Sequence, residues 1–147
     1  MSHTYFQKVM HVVFSTKDRR RIIPPDMKER LWSYTAGICK RQDIFVHAVG
    51  GIEDHIHLLL QFPATIAVSE AIKKIKANSS GWLADEIGKF AWQAGYGAFG
   101  VSKSNIPSVV KYIQSQEQHH RKMTFEQEFV ALLEKHGIEY DSRYVFG

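Results

Sequence analysis

Two histidines separated by a single residue are the first candidates for chemistry in this chain of 147 residues. They lie in the apolar segment 54–60, whose composition is typical of a β-strand. Side chains at i and i+2 of a strand point to the same face, so His55 and His57 project together. Two imidazoles held side by side are good ligands for a divalent ion that has further ligands and an open position for substrate. The alternative is a histidine pair that only forms hydrogen bonds at a sheet surface.

A tyrosine and a glutamine one helical turn apart form the second candidate. Residues 109–116 have a helical pattern, in which Tyr112 and Gln116 at i and i+4 share a face. A tyrosine hydroxyl, with a pKa of ~10, is a poor nucleophile at neutral pH. It can attack a phosphodiester when a divalent ion polarises the phosphate, leaving a phosphotyrosine and a free hydroxyl. Gln116 is a candidate third metal ligand, and simple packing of Tyr112 on the apolar stripe is the alternative.

Hydrophobic periodicity and turn residues predict the elements that position these side chains. The predicted strands are 10–16, 43–50, 54–62 and 98–103, and the predicted helices are 24–40, 67–87, 104–120 and one that starts at a capping box at 124. The order β-α-β-β-α-β is that of the ferredoxin-like fold, an α+β antiparallel sheet with two helices on one face. The other face is then free for a ligand or for the two C-terminal helices, the first of which carries Tyr112. We expect residues 1–147 to form a single domain.

In its motifs the chain resembles the single-tyrosine HUH transposases of small bacterial insertion sequences. The His-hydrophobic-His motif is present as His55-Ile56-His57, and the Tyr-x-x-x-Gln motif is present as Tyr112 to Gln116. Segments 76–82, 92–99 and 137–141 are also similar to the family. The resemblance covers nearly the whole chain and includes every catalytic position.

The resemblance implies an enzyme that cuts and rejoins single-stranded DNA and recognises short imperfect hairpins at the ends of the element. It implies Mg²⁺ or Mn²⁺ bound by His55, His57 and Gln116. It further implies that Tyr112 attacks the DNA to leave a 5′-phosphotyrosine and a free 3′-hydroxyl. Members of the family work as homodimers, often with the tyrosine helix of one subunit at the histidine pair of the other.

A basic charge balance is consistent with a polyanionic partner. The chain has 19 Lys and Arg against 15 Asp and Glu, which gives a net charge of +4. Three clusters are predicted to contact DNA phosphates: Lys17, Arg19, Arg20 and Arg21; Lys73, Lys74 and Lys76; and Arg121 with Lys122. A merely solvated surface is the alternative for each cluster. Trp92 and Tyr96, in or beside a loop, are candidates for stacking on unpaired bases.

The remaining histidines and the tail are assigned other roles. His11 and His47 lie on other predicted strands, where packing in the core is favoured over a position near the site. His119 and His120 lie near the site by helical spacing, and they are predicted to face solvent or phosphate rather than a metal ion. The aromatic tail 138–147 is predicted to pack across the body of the protein.

Several classes of protein are excluded or less favoured. A single cysteine, Cys39, excludes an intrachain disulfide and Cys-rich zinc modules. No apolar run approaches the ~18 residues of a membrane span, and the N-terminus lacks a signal-peptide pattern, so we expect a cytoplasmic protein without a membrane partner. Two other functions remain open: a non-catalytic single-stranded nucleic-acid-binding protein derived from a transposase, and a metal-dependent hydrolase that does not use Tyr112.

Overall fold

The computed structural model describes residues 4–146, and its elements follow the predicted order. They are β1 (Val9–Ser15), α1 (Lys28–Arg41), β2 (Phe45–Ile52), β3 (His55–Gln61), α2 (Val68–Ile87), β4 (Gly97–Gly100), α3 (Ile106–Gln114), α4 (Gln116–His119) and α5 (Phe125–Lys135). The four strands form one antiparallel sheet in the order β2-β3-β1-β4. This is the predicted α+β, ferredoxin-like arrangement. Among the described residues, no helix has both the length and the apolarity needed to span a membrane.

One face of the sheet is an apolar core covered by α1 and α2. Ile56 and Leu58 of β3 and Phe14 of β1 are buried there against Leu31 of α1 and Ile72 of α2. Burial of each such side chain contributes about 1.5–3 kcal/mol. This packing holds β3 in place and thereby fixes the direction of the alternate side chains on the opposite face.

The other face of the sheet is covered by the C-terminal helices, as predicted. Ile113 of α3 packs with Leu59 of β3. Leu133 of α5 packs with Val13 of β1 and Phe99 of β4. The two helices therefore contact the sheet on the same face as His55 and His57.

The connection between β2 and β3 is shorter than the predicted hairpin 50–53. β2 continues to Ile52, and only Glu53 and Asp54 form the turn. A Cβ atom on Gly50 would lie 2.4 Å from the carbonyl oxygen of Ile113. Gly50 is therefore a strand residue that permits α3 to approach the backbone of β2, rather than a residue that forms the turn.

The predicted helix 104–120 is divided into two in the structure. α3 begins at Ile106 after a 3₁₀ turn and ends at Gln114, and the non-helical residue Ser115 (φ −106°, ψ 20°) separates it from α4. The backbone amide of Ser115 donates to the carbonyl of Tyr112 instead of continuing the α-helical pattern. The helical pattern is thus interrupted at Ser115, three residues after Tyr112.

The predicted beginning of the last helix is confirmed, whereas only the end of the tail packs on the body and residues 138–144 are exposed. The amide of Gln127 donates to Thr124 Oγ1 at 3.2 Å, and the amide of Thr124 donates to Gln127 Oε1 at 2.9 Å, which completes the capping box. Val145 and Phe146 of the tail pack beside α5. β4 ends at Gly100, earlier than predicted, because the chain turns there towards α3.

Candidate metal and nucleophile site

The two histidines of β3 lie side by side and are fully buried, with ring centroids 4.9 Å apart. His55 Nδ1 donates to the carboxylate of Asp54 at 2.7 Å. His57 Nδ1 lies 2.7 Å from Nε2 of His11. Both rings are therefore held through Nδ1, which leaves Nε2 directed into the site.

The structure also brings the tyrosine and the glutamine of the second motif to this pair. Gln116 is buried, and its Oε1 lies 3.0 Å from His55 Nε2. The ring of Tyr112 is half-buried, with its centroid 5.8 Å from that of His57. All four predicted catalytic residues thus form one cluster within a single chain.

A carboxylate that the sequence analysis missed lies at the centre of the cluster. Glu128 of α5 is 1% exposed, and its Oε1 is 2.9 Å from His57 Nε2 and 3.3 Å from His55 Nε2. Its Oε2 accepts a short hydrogen bond from the hydroxyl of Tyr112. The feature of the sequence that could have identified Glu128 as a site residue is its position on the apolar stripe of α5, three residues after Phe125. A charged residue there must be paired when it is buried.

A third imidazole reaches the same centre, and the prediction that it faces solvent or phosphate is wrong. The side chain of His120 is 4% exposed. Its Nε2 lies 3.0 Å from Gln116 Oε1 and 3.1 Å from Glu128 Oε1. The neighbouring His119 instead packs against the ring of Tyr112, with centroids 4.7 Å apart.

The two strand histidines outside the motif have different surroundings. His11 is buried, as predicted, but it contacts His57 and so belongs to the surroundings of the site. His47 lies at the irregularity in β2 and is hydrogen-bonded to Gln61 at 3.0 Å.

The charges in the cluster are set by burial and by the central carboxylate. Burial alone would lower the pKa of His55, but hydrogen bonds to the Asp54 and Glu128 carboxylates outweigh it and raise that pKa to about 9. Burial lowers the pKa of His57 to about 4. Burial would raise the pKa of Glu128, but its hydrogen bonds to the histidines hold it well below the usual range. Burial and the neighbouring carboxylate raise the pKa of Tyr112, so its hydroxyl is protonated at neutral pH.

These residues have the chemistry and spacing of a metal site. The ligand atoms of His55, His57 and Glu128 all lie within 4.8 Å of one another. Two donors bound to one ion at right angles, each at about 2.1 Å, lie about 3 Å apart. The 2.9–3.3 Å separations between neighbouring donors match that value. Because the ligand atoms are almost completely buried, a DNA phosphate can reach them only after the side chains that cover them move.

Two of the basic clusters lie near this site. The first follows β1, whose last residue Ser15 pairs with His55. In it Lys17, Arg20 and Arg21 are exposed. Arg19 is half-buried and donates to the backbone carbonyl of Phe146 at 2.9 Å. Arg121 and Lys122, both exposed, come directly after His120 in the chain.

The third basic cluster is on α2, which covers the opposite face of the sheet. Lys73 and Lys74 are exposed there. Lys76 differs from them, because its ammonium donates to the backbone carbonyls of Gln93 and Gly95, at 2.7 Å in both cases. Lys76 thus fixes the loop before β4.

The two aromatic residues proposed to stack on bases differ in exposure. Trp92 is 8% exposed, and its indole N–H donates to Ser79 Oγ at 3.0 Å, so it is a core residue and cannot stack on DNA in this conformation. Its ring packs edge-on against Phe14. Tyr96 is 41% exposed and stays a candidate.

Comparison with known proteins gives consistent matches. A family model of IS200-like transposases matches residues 4–116, a segment that includes both histidines of β3, Tyr112 and Gln116. His120 and Glu128 lie beyond the matched segment. The transposases for insertion sequence element IS200 of Salmonella typhimurium and Salmonella typhi are each 28% identical over 124 residues, which is 79% of this chain and 81% of theirs.

Two solved structures share the fold. A protein of Deinococcus radiodurans R1 described as a transposase has a TM-score of 0.64 at 18% identity, with 79% of this chain and 95% of that chain covered. A REP-associated tyrosine transposase bound to a REP hairpin has a TM-score of 0.58 at 15% identity, with 77% of this chain and 68% of that chain covered.

Proposed function

Because this chain belongs to the IS200-like transposase family, we propose that it cuts and rejoins single-stranded DNA at insertion-sequence ends by attack of Tyr112. The observation that carries the proposal is the position of the Tyr112 hydroxyl, which is hydrogen-bonded to the carboxylate that also contacts the histidine pair. A hairpin-forming single strand is the proposed substrate. In support, one protein with the same fold was solved with a REP hairpin bound.

In the proposed reaction the phenolic oxygen of Tyr112 forms a bond to phosphorus, and the bond from phosphorus to the 3′ oxygen breaks. The DNA 5′ end stays on Tyr112 as a phosphotyrosine, and the other strand leaves with a free 3′-hydroxyl. Glu128 Oε2 accepts the hydrogen bond of the Tyr112 hydroxyl and is placed to receive its proton as the bond to phosphorus forms and makes that proton acidic. The leaving 3′ oxygen takes up one proton from solvent, which balances the proton released by Tyr112. An incoming 3′-hydroxyl can later displace Tyr112 by the reverse reaction.

His55, His57 and Gln116, together with Glu128, would hold the Mg²⁺ or Mn²⁺ that the family uses. The ion would polarise a phosphate oxygen and offset the charge that develops on the transferred phosphate. Asp54 orients the ring of His55 through its Nδ1.

The exposed cations near the site are the proposed DNA contacts: Lys17, Arg20, Arg21, Arg121 and Lys122. Lys73 and Lys74 would contact only DNA that extends around the sheet to α2. Arg19 and Lys76 hold the tail and a loop through backbone carbonyls, so for them a structural role is the better proposal.

Detection of a covalent intermediate tests the function. The protein is incubated with single-stranded DNA from the flanks of its own gene and Mn²⁺ or Mg²⁺, and the products are separated on denaturing gels. We expect a protein–DNA adduct that requires metal and is absent from Tyr112→Phe. Tyr34→Phe is the matched control, because Tyr34 lies on α1 and stacks on Trp82.

Two results would contradict the proposal. Cleavage without an adduct, unchanged in Tyr112→Phe, would identify a metal-dependent hydrolase. Hairpin binding without any cleavage would identify a non-catalytic nucleic-acid-binding protein.

We further propose that residues 1–147 form a single domain and that the protein is a homodimer. We also propose that it acts in the cytoplasm, where the DNA of the element is found. Within this chain Tyr112 reaches its own histidines, which favours a dimer with each active site formed by one subunit. The mass of the protein in solution, compared with 16.9 kDa for one chain, tests the dimer.

A further inference from the structure

The site contains one imidazole that the mechanism above does not use. We propose that His120 Nε2 is a further ligand of the metal ion, a third imidazole beside His55 and His57. This inference rests on the proposed metal site and adds a residue that lies outside the segment matched by the family model.

The first argument is the arrangement of donor atoms around the centre. Starting at His55 Nε2, Gln116 Oε1 lies 3.0 Å away, and His120 Nε2 lies 3.0 Å beyond that. From His120 Nε2 it is 3.1 Å to Glu128 Oε1, and from there 3.3 Å back to His55 Nε2. These four atoms form a closed ring with sides of about 3 Å, the separation of neighbouring ligands around one divalent ion. His120 is not among the three residues whose ligand atoms all lie within 4.8 Å of one another, so its ring moves inwards when it binds the ion. His120 occupies the place across the ring from His55.

The second argument is the hydrogen bonding of the ring of His120. Its Nδ1 donates to the backbone carbonyl of Met123 at 2.8 Å. Its Nε2 faces two oxygen atoms, of Gln116 and Glu128, and both are acceptors. His55 has the same pattern, with Nδ1 bound to Asp54 and Nε2 directed at the same two oxygens. In both residues the ring is held through Nδ1 and presents Nε2 to the centre, which is the orientation of a metal-ligating imidazole.

The third argument is the local backbone, which holds His120 in this position. The amide of His120 donates to the carbonyl of Gln116 at 3.0 Å, so the two side chains lie one turn apart on the same side of α4. Tyr112, Gln116 and His120 thus follow one another at intervals of four residues, despite the break at Ser115. The segment that carries the nucleophile therefore also carries two ligands.

A third imidazole changes which ion the site prefers. Carboxylate, carbonyl and water ligands suit Mg²⁺, whereas imidazole ligands suit zinc and other first-row transition metals. With His120 bound, we expect the site to prefer Zn²⁺ to Mg²⁺. Without His120 that preference decreases.

Two measurements on the full chain test the assignment without relying on activity. Imidazole ¹H–¹⁵N correlation spectra with Zn²⁺ count the ligating rings directly, and we expect three Nε2 atoms to shift in the wild type and two in His120→Gln. Calorimetric titration with Zn²⁺ and Mg²⁺ gives the affinities. We expect His120→Gln to lower the Zn²⁺ affinity at least ~10-fold and the Mg²⁺ affinity less.

Two further variants separate the possible results. His47→Gln is the matched control, because it removes an imidazole of β2 that is hydrogen-bonded to Gln61. His55→Gln tests the proposed site itself. If His55→Gln lowers the affinity but the wild type shows only two ligating rings, the inference about His120 is wrong and the proposed site stands. If His55→Gln has no effect on metal binding, the metal site of the proposed function fails, and this inference fails with it.

Discussion

On one face of the sheet, β3 presents Ile56 and Leu58 to an apolar core under α1 and α2. On the other face, the same strand presents His55 and His57 to a buried polar cluster under α3, α4 and α5. Both sets of side chains are fully buried, yet their partners differ completely. Apolar contacts are non-directional and tolerate small shifts, whereas each buried polar atom requires a partner at a defined distance.

This difference indicates how stability and chemistry are divided between the two faces. The apolar face keeps β3 rigid, and burial of its side chains is the main favourable term in folding. The polar face contains the charged carboxylate of Glu128, whose burial is costly unless it is paired. We therefore expect substitutions on the apolar face to affect mainly stability, and substitutions on the polar face to affect mainly metal binding and cleavage.

The largest expected effect tests the apolar face. Leu58→Ala removes a fully buried side chain from the core, and we expect the free energy of unfolding to decrease by about 2–5 kcal/mol, as measured by urea denaturation. The folded fraction should bind metal with unchanged affinity, because His55 and His57 point to the other face. A loss of stability under about 1 kcal/mol would show that this face is not the main source of stability.

A smaller effect tests the polar face. Asp54→Ala removes the acceptor for His55 Nδ1, and we expect the metal affinity to decrease about 10–100-fold because the ring is no longer oriented. Calorimetry measures this change, and urea denaturation should show a loss of stability of about 1–3 kcal/mol, because His55 Nδ1 is left buried without an acceptor. Asp26→Ala, at an exposed position before α1, is the control. Equal metal affinity in both variants would show that Asp54 does not position His55.

The smallest expected effect tests on which face the DNA lies. Arg20 is exposed beside the start of β3, and Lys73 is exposed on α2. We expect Arg20→Ala to reduce the salt dependence of DNA binding by the amount that corresponds to about one phosphate contact, and to lower the affinity weakly. We expect Lys73→Ala to have no effect on either quantity. Filter binding of a hairpin strand at several salt concentrations measures this. A larger effect of Lys73→Ala would place DNA on the α2 face and contradict the proposed division.

Most of the fold could be predicted from local patterns. The alternation in β3, the helical stripes and the capping box at Thr124 depend on residues close in sequence, and the structure confirms them. The errors lie where tertiary contacts decide the outcome. The sequence pattern predicts that Gly50 is a turn residue, but it belongs to β2, where α3 lies against it. The break at Ser115 has no Gly or Pro to mark it.

For the candidate site too, local patterns predict some features and tertiary contacts decide the others. The positions of His55 and His57 on one face, and of Tyr112 and Gln116 on one helix, follow from the periods of a strand and of a helix, which are properties of the local chain. The sequence by itself therefore determined the two motifs and the type of chemistry they suggest. Only the tertiary structure decided that Glu128, 71 residues from His57 in the chain, completes the cluster, and that Nε2 of His120 points into it rather than to solvent. The physical reason is that local periodicity determines which face a side chain occupies, but long-range packing determines what that face meets.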